Sequence, residues 1–115
     1  WLDNLNSEYF FTDFDRIGSS NFSLPLILRD RNKERFEDVC RTLESHGVEY
    51  RKGTAGGGNQ ARQPYLENYA HRIEGPMNNV DHVHDFGLYI GNHCEVNPDR
   101  VKELCNILNE RLSNV

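Results

Sequence analysis

The chain has 115 residues with 18 acidic and 13 basic side chains, a formal net charge of −5 and no basic stripe, so nucleic acid, which is held through clustered Lys and Arg, is not an expected partner. No apolar run approaches the roughly 20 residues that span a bilayer, and the acidic, aromatic start WLDNLNSEYFFTDFD has the character of neither a signal nor a transit peptide. One domain of this length buries roughly two-thirds of its unfolded surface.

Residues 1–20 read as a connecting arm, because charges and aromatics mix without a period before Gly18-Ser19-Ser20 breaks the chain. The start at Trp1 rather than at a Met reads as a piece cut from a longer protein. Trp1, Tyr9, Phe10, Phe11 and Phe14 are expected to present an apolar surface that a partner domain or a second copy covers. From residue 21 the pattern changes. FSLPLILR, residues 22–29, reads as a strand, with Pro25 placing it at a sheet edge or a bulge. Asn32 or Asp30 then caps a helix whose Phe36, Val39, Cys40 and Leu43 recur at i, i+3, i+4 and i+7. His46 and an αL Gly47 end it.

Residues 48–54 (VEYRKGT) alternate apolar and polar, as a second strand does. Next comes GTAGGGNQARQPYLENY, residues 53–69, in which four of the first six residues are glycine. Glycine loses more backbone freedom on ordering than any other residue. Such a run therefore marks either backbone that must come close to something or a loop that stays mobile. Mobility is expected across residues 53–60, with substrate and another domain as the ordering partners. A surface loop without function is the plainer alternative.

Pro64 sits where a helix starts, and Tyr65, Leu66 and Tyr69 fit one or two turns. Residues 71–84 read as loop through Asn79, then at most a short helical turn. FGLYIGN, residues 86–92, is the third strand, with Leu88 and Ile90 on one face. Asn97, Pro98 and Asp99 then open a final helix with a stripe of Val101, Leu104, Cys105, Leu108 and Leu112. The fold expected is α+β: a small antiparallel or mixed three-stranded sheet with two main helices on one face.

Among groups that carry chemistry, His82, His84, His93 and Cys94 are the right types for zinc, but no C-x-x-C or H-E-x-x-H spacing supports them. No metal site is assigned, and a zinc-stabilised interaction module stays the weakest reading. Cys40 and Cys105 lie on apolar helical stripes and Cys94 adjoins His93 along a strand, a poor placement for a Cys–His couple. An odd number of widely spaced cysteines argues for a reducing compartment rather than a disulfide framework. The glycines lack the strand-to-helix context of a phosphate-binding loop. What remains is a recognition constellation: Asn59, Gln60, Arg62 and Tyr65 on the glycine-rich segment, with Tyr89, Asn92 and His93 at the end of the third strand. Uncharged hydrogen-bonding groups with one fork-shaped cation suit hydroxyls and phosphate oxygens. The alternative is that Tyr65 and Tyr89 edge the core and that Arg62 is solvated or braces its own turn.

These residues also carry a resemblance. NFSLPLILRD, the helix leading into SHGVEYRKGTAGGGNQARQPY, then NNVDHVHDFGLYIGNH and the Pro-capped last helix resemble the C-terminal small domain of the DegT/DnrJ/EryC1/StrS family over residues 20–112. The most specific pieces are Gly58, Asn59, Arg62, Gln63, Pro64 and Tyr65, and then Asn79, Asp81, Gly87, Tyr89, Ile90 and Gly91. That family comprises pyridoxal- or pyridoxamine-phosphate enzymes acting on nucleotide-linked keto sugars, and the RQPY form is similar to its 3-dehydrase branch.

The resemblance implies that residues 21–115 are a C-terminal domain and that the cofactor lies in a large N-terminal domain outside this sequence. Lys33, Lys52 and Lys102 do not stand in the context of a cofactor lysine. It implies a 3-dehydrase or aminotransferase of 4-keto-6-deoxy sugars in lipopolysaccharide O-antigen biosynthesis, cytoplasmic and homodimeric, with this domain inactive and cofactor-free alone. Its substrate-binding residues would be Asn59, Gln60, Arg62, Tyr65, Tyr89 and His93, with Arg62 near a phosphate and Asn59 or His93 near sugar hydroxyls. Asn92-His93-Cys94-Glu95 departs from the proline and glycine usual after this strand. The alternative from another class is a stand-alone, non-catalytic carbohydrate- or nucleotide-binding domain.

Overall fold

The computed structural model describes residues 1–53 and 58–115. The expectation of a mobile glycine loop falls mainly on residues 54–57, which lie outside the described residues.

Three strands, β1 (Ser23–Ile27), β2 (Tyr50–Lys52) and β3 (Gly87–Gly91), form one antiparallel sheet in the order β1-β3-β2. The two outer strands therefore run parallel to each other with β3 inserted between them, a split β-α-β unit. The central position of β3 follows from its composition. Leu88 and Ile90 are buried, and Leu26 and Leu24 stand opposite them on β1. Pro25 sits in the outer strand β1, where a missing N–H costs least.

Helix α1 (Lys33–Ser45) starts where the Asn32 side chain accepts the Arg35 N–H at 3.1 Å, and Gly47 leaves it at φ +67°, a backbone position that favours glycine. Helix α3 (Pro98–Ser113) has Asn97 as its cap, accepting the Asp99 N–H, and Pro98 in its first turn. Phe36, Val39, Cys40 and Leu43 of α1 and Leu104, Cys105, Leu108 and Leu112 of α3 join Leu26, Leu88 and Ile90 in a single core. At the helix–helix seam Arg111 grips the nearly buried Asp38 through two hydrogen bonds of 2.5 and 2.7 Å. The Arg111 hydrogen bond holds the Asp38 carboxyl below the ordinary carboxylate range, outweighing the opposing effect of burial.

Three features differ from the sequence reading. First, the N-terminal aromatics are docked rather than presented. Phe10 is fully buried and Leu5 nearly so, both within the core. Phe10 bridges Leu28, the Phe11 N–H donates to the Ile27 carbonyl, and Trp1 Nε1 donates to the Pro25 carbonyl at 2.6 Å. Asn109 of α3 receives the Asn6 N–H and donates to the Asn4 carbonyl. Of the arm's aromatics only Phe14 counts as exposed, at 38%. A segment without a period gives no local sign of such docking, which depends on β1 and α3.

Second, residues 78–86 form a full helix, α2 (Asn78–Phe86), instead of a loop ending in one turn. Its start has no side-chain cap. Tertiary contacts hold it instead: a 2.6 Å hydrogen bond joins His82 Nε2 to the Leu28 carbonyl, and Phe86 meets Phe36 edge-on. Third, β2 is shorter than residues 48–54. The Val48 N–H is spent on the Leu43 carbonyl at the helix exit, and Gly53 leaves the ladder to approach α2.

Candidate functional site

Two glycines create the site. A Cβ on Gly58 would stand 2.5 Å from His84 Nδ1 and 2.8 Å from the Gly53 carbonyl oxygen, and one on Gly53 would stand 3.1 Å from the α2 backbone at His84. Of the two purposes a glycine run can serve, close approach is the one seen at these positions, and what is approached is the molecule's own helix. The chain then turns through two 3-10 segments, Gln60–Arg62 and Pro64–Asn68, the second opened by its proline.

Asn59 builds this turn from inside. It is 5% exposed. Its Oδ1 accepts the Ala61 N–H at 2.9 Å, its Nδ2 donates to Asp81 Oδ1 at 2.8 Å, and its backbone N–H donates to His84 Nδ1 at 3.0 Å. Arg62 closes the outer side, with Nη1 to Asp81 at 3.4 Å and Nη2 to Asp85 at 2.9 Å. Those carboxylates strengthen the guanidinium's hold on its proton, Asp85 most, and Arg62 in return lowers the Asp85 carboxyl. Asp81, His84 and Asp85 fall at i, i+3 and i+4, so one face of α2 receives the whole turn.

Of the residues singled out from sequence, Asn59 and Arg62 meet here. Gln60 and Tyr65 sit on the same turn with exposed side chains. Tyr89 lies mid-strand, opposite Pro25 and Arg51, with Phe22 edge-on to its ring at 6.1 Å. Asn92 and His93 are apart from the turn. They follow the far end of β3, about 14 Å from Gly87 at some 3.4 Å per residue. There Asn92 ties to Asn21 and Phe22, and His93 Nδ1 accepts the Glu95 N–H. Asp81, His84 and Asp85 as holders of the turn are what the sequence reading missed. Their spacing in DHVHD was the available signal, once read as helix.

Among the described residues no three His, Cys, Asp or Glu side chains gather to hold a metal ion. Cys40 and Cys105 are buried and burial pushes both thiols up, away from nucleophilic character, while Cys94 is exposed.

No family model matches the chain, and no curated protein matches it. Among solved structures it is similar to GDP-4-keto-6-deoxymannose-3-dehydratase, determined with a trapped PLP-glutamate geminal diamine, at a TM-score of 0.64 and 21% sequence identity. The match covers 76% of this chain and 22% of that one, so the chain spans under a quarter of that enzyme's length. The likeness is one of fold: an α+β domain with a three-stranded antiparallel sheet, as found within an enzyme whose structure holds PLP.

Proposed function

We propose that this chain is the substrate-side C-terminal small domain of a PLP- or PMP-dependent nucleotide-sugar 3-dehydrase or aminotransferase, acting on a 4-keto-6-deoxy sugar for surface polysaccharide. The observation that carries the reading is the fold similarity to the sugar dehydratase, joined to a glycine-shaped turn that offers Gln60, Arg62 and Tyr65 outward. Tyr89 on the sheet and His93 beyond β3 form a second contact region. Asn59, its amide committed inward, shapes the turn and leaves the ligand to its neighbours.

The residues present do not fit the cofactor itself. Lys52 is ion-paired with Glu37 at 3.1 Å and lies over the Phe36 ring. Burial pulls its ammonium down, but the Glu37 carboxylate raises it again and the net shift is upward, so the amine stays protonated. Lys33 and Lys102 are exposed on helices. In this reading the cofactor belongs to a larger domain of a cytoplasmic, homodimeric enzyme, and this chain contributes recognition only.

Arg62 has five N–H donors, two of which serve Asp81 and Asp85. A substrate phosphate would take the others or displace a carboxylate. In the intact enzyme Arg62→Ala is expected to weaken nucleotide-sugar affinity roughly 10- to 150-fold, the range for hydrogen bonds to charged groups. Arg62→Lys should recover part of it, because an ammonium lacks the fork. Cofactor loading should not change. A variant that melts earlier yet binds the nucleotide sugar as well as the parent would reduce Arg62 to a brace of its turn. Binding of the sugar nucleotide by the chain alone, with no cofactor enzyme in the intact protein, would favour the stand-alone binding domain.

A further inference from the structure

The turn rests on α2 through one contact that depends on a proton. The Asn59 N–H donates to His84 Nδ1 at 3.0 Å, with Gly58 pressed against the same ring. A backbone N–H needs a lone pair to donate to, so this bond exists only while Nδ1 carries no hydrogen. We propose that His84 is a positioning residue for the turn at residues 58–62, seating it on α2 while the imidazole is neutral and releasing it when the imidazole becomes charged.

The groups around the ring shape this response. Asp81 and Asp85 flank it on α2, Arg62 reaches both carboxylates from the turn, and Lys33 from the start of α1 acts on Asp85. A charged ring beside Asp81 and Asp85 competes with Arg62 for the carboxylates that hold the turn's outer side. The other ties, Asn59 and Arg62 to Asp81 and Arg62 to Asp85, end on half-exposed carboxylates, where ion pairs contribute little each. The seated state excludes a proton from Nδ1, so seating strengthens as pH rises and weakens as pH falls. An imidazole changes charge between about pH 5 and 8, which sets the window to test. That Gln60, Arg62 and Tyr65 would move with the turn matters for ligand binding only under the function proposed above. The positioning does not rest on it.

The test is an NMR titration of the isotope-labelled 115-residue chain from pH 8 to 5. The Asn59 amide resonance should move with the midpoint of the His84 ring nitrogens, and its exchange protection, corrected for intrinsic rate, should fall about fivefold, one ordinary hydrogen bond. His84→Gln offers an oxygen acceptor that does not titrate in this range, and should remove the pH dependence while keeping the protection. His84→Ala should lose that protection at both ends of the range. An Asn59 amide that stays still while His84 titrates, or a His84→Gln chain with unchanged pH dependence, overturns the proposal. If the amide follows the ring but His84→Gln leaves the pH dependence of nucleotide-sugar affinity in the intact enzyme unaltered, positioning stands and the functional reading of the turn fails.

Discussion

Replacing Phe10 by Ala tests whether the N-terminal residues belong to the folded unit. Phe10 is 0% exposed and sits in the core with Leu26, Leu28 and Leu5. Truncating a buried phenylalanine costs about 3–5 kcal/mol, the transfer of the ring plus the cavity it leaves. Domains of this size are stable by only about 5–15 kcal/mol. At about 3–5 °C per kcal/mol for this length, the midpoint should fall by about 10–20 °C. Phe14, at 38% exposure, is the control, and its alanine variant should stay within about 0.5 kcal/mol of the parent. The assay is urea unfolding followed by circular dichroism and by the fluorescence of Trp1, the only tryptophan, whose indole N–H bonds the Pro25 carbonyl. Both signals should lose structure in one coincident transition. A Phe10→Ala loss below about 1 kcal/mol, or a Trp1 transition well before the helical one, would mean that the segment is an appendage and that its burial adds little.

Three further outcomes are expected. Asp38→Asn should lower stability at neutral pH and flatten the acid limb of the stability curve: the folded carboxyl titrates below its unfolded value of about 3.9, so its contribution is present above that pH and is lost as pH falls through the folded value. An unchanged acid limb in pH-dependent urea melts would remove Asp38 from that role. Gly58→Ala should unseat the turn at a cost of about 1–3 kcal/mol, because the new methyl meets both His84 and the Gly53 carbonyl; an unshifted Asn59 amide would contradict the contact. A thiol reagent should label Cys94 rapidly and reach Cys40 and Cys105 only in denaturant, and fast labelling of all three would show that the core opens readily.

The two long helices were legible because their determinants are local. Asn32 and Asn97 cap, Pro98 starts, Gly47 ends, and the apolar stripes recur within a few residues of one another. β3 was legible from the alternation around Leu88 and Ile90. Its seat between β1 and β2, and the antiparallel sense of both pairs, came only with the tertiary structure, since pairing joins strands separated by dozens of residues. Residues 1–11 carry no period, and their place is set by Leu28, Pro25 and Asn109, far along the chain. In the candidate site, glycine content marked the turn as unusual. That Asn59 would be buried and Arg62 engaged by two carboxylates could not be read locally, because the partners Asp81, His84 and Asp85 lie 19 to 25 residues away on a helix without a side-chain cap of its own. Local rules act on residues that are neighbours in sequence, whereas this site consists of neighbours that only the packing of α2 brings together.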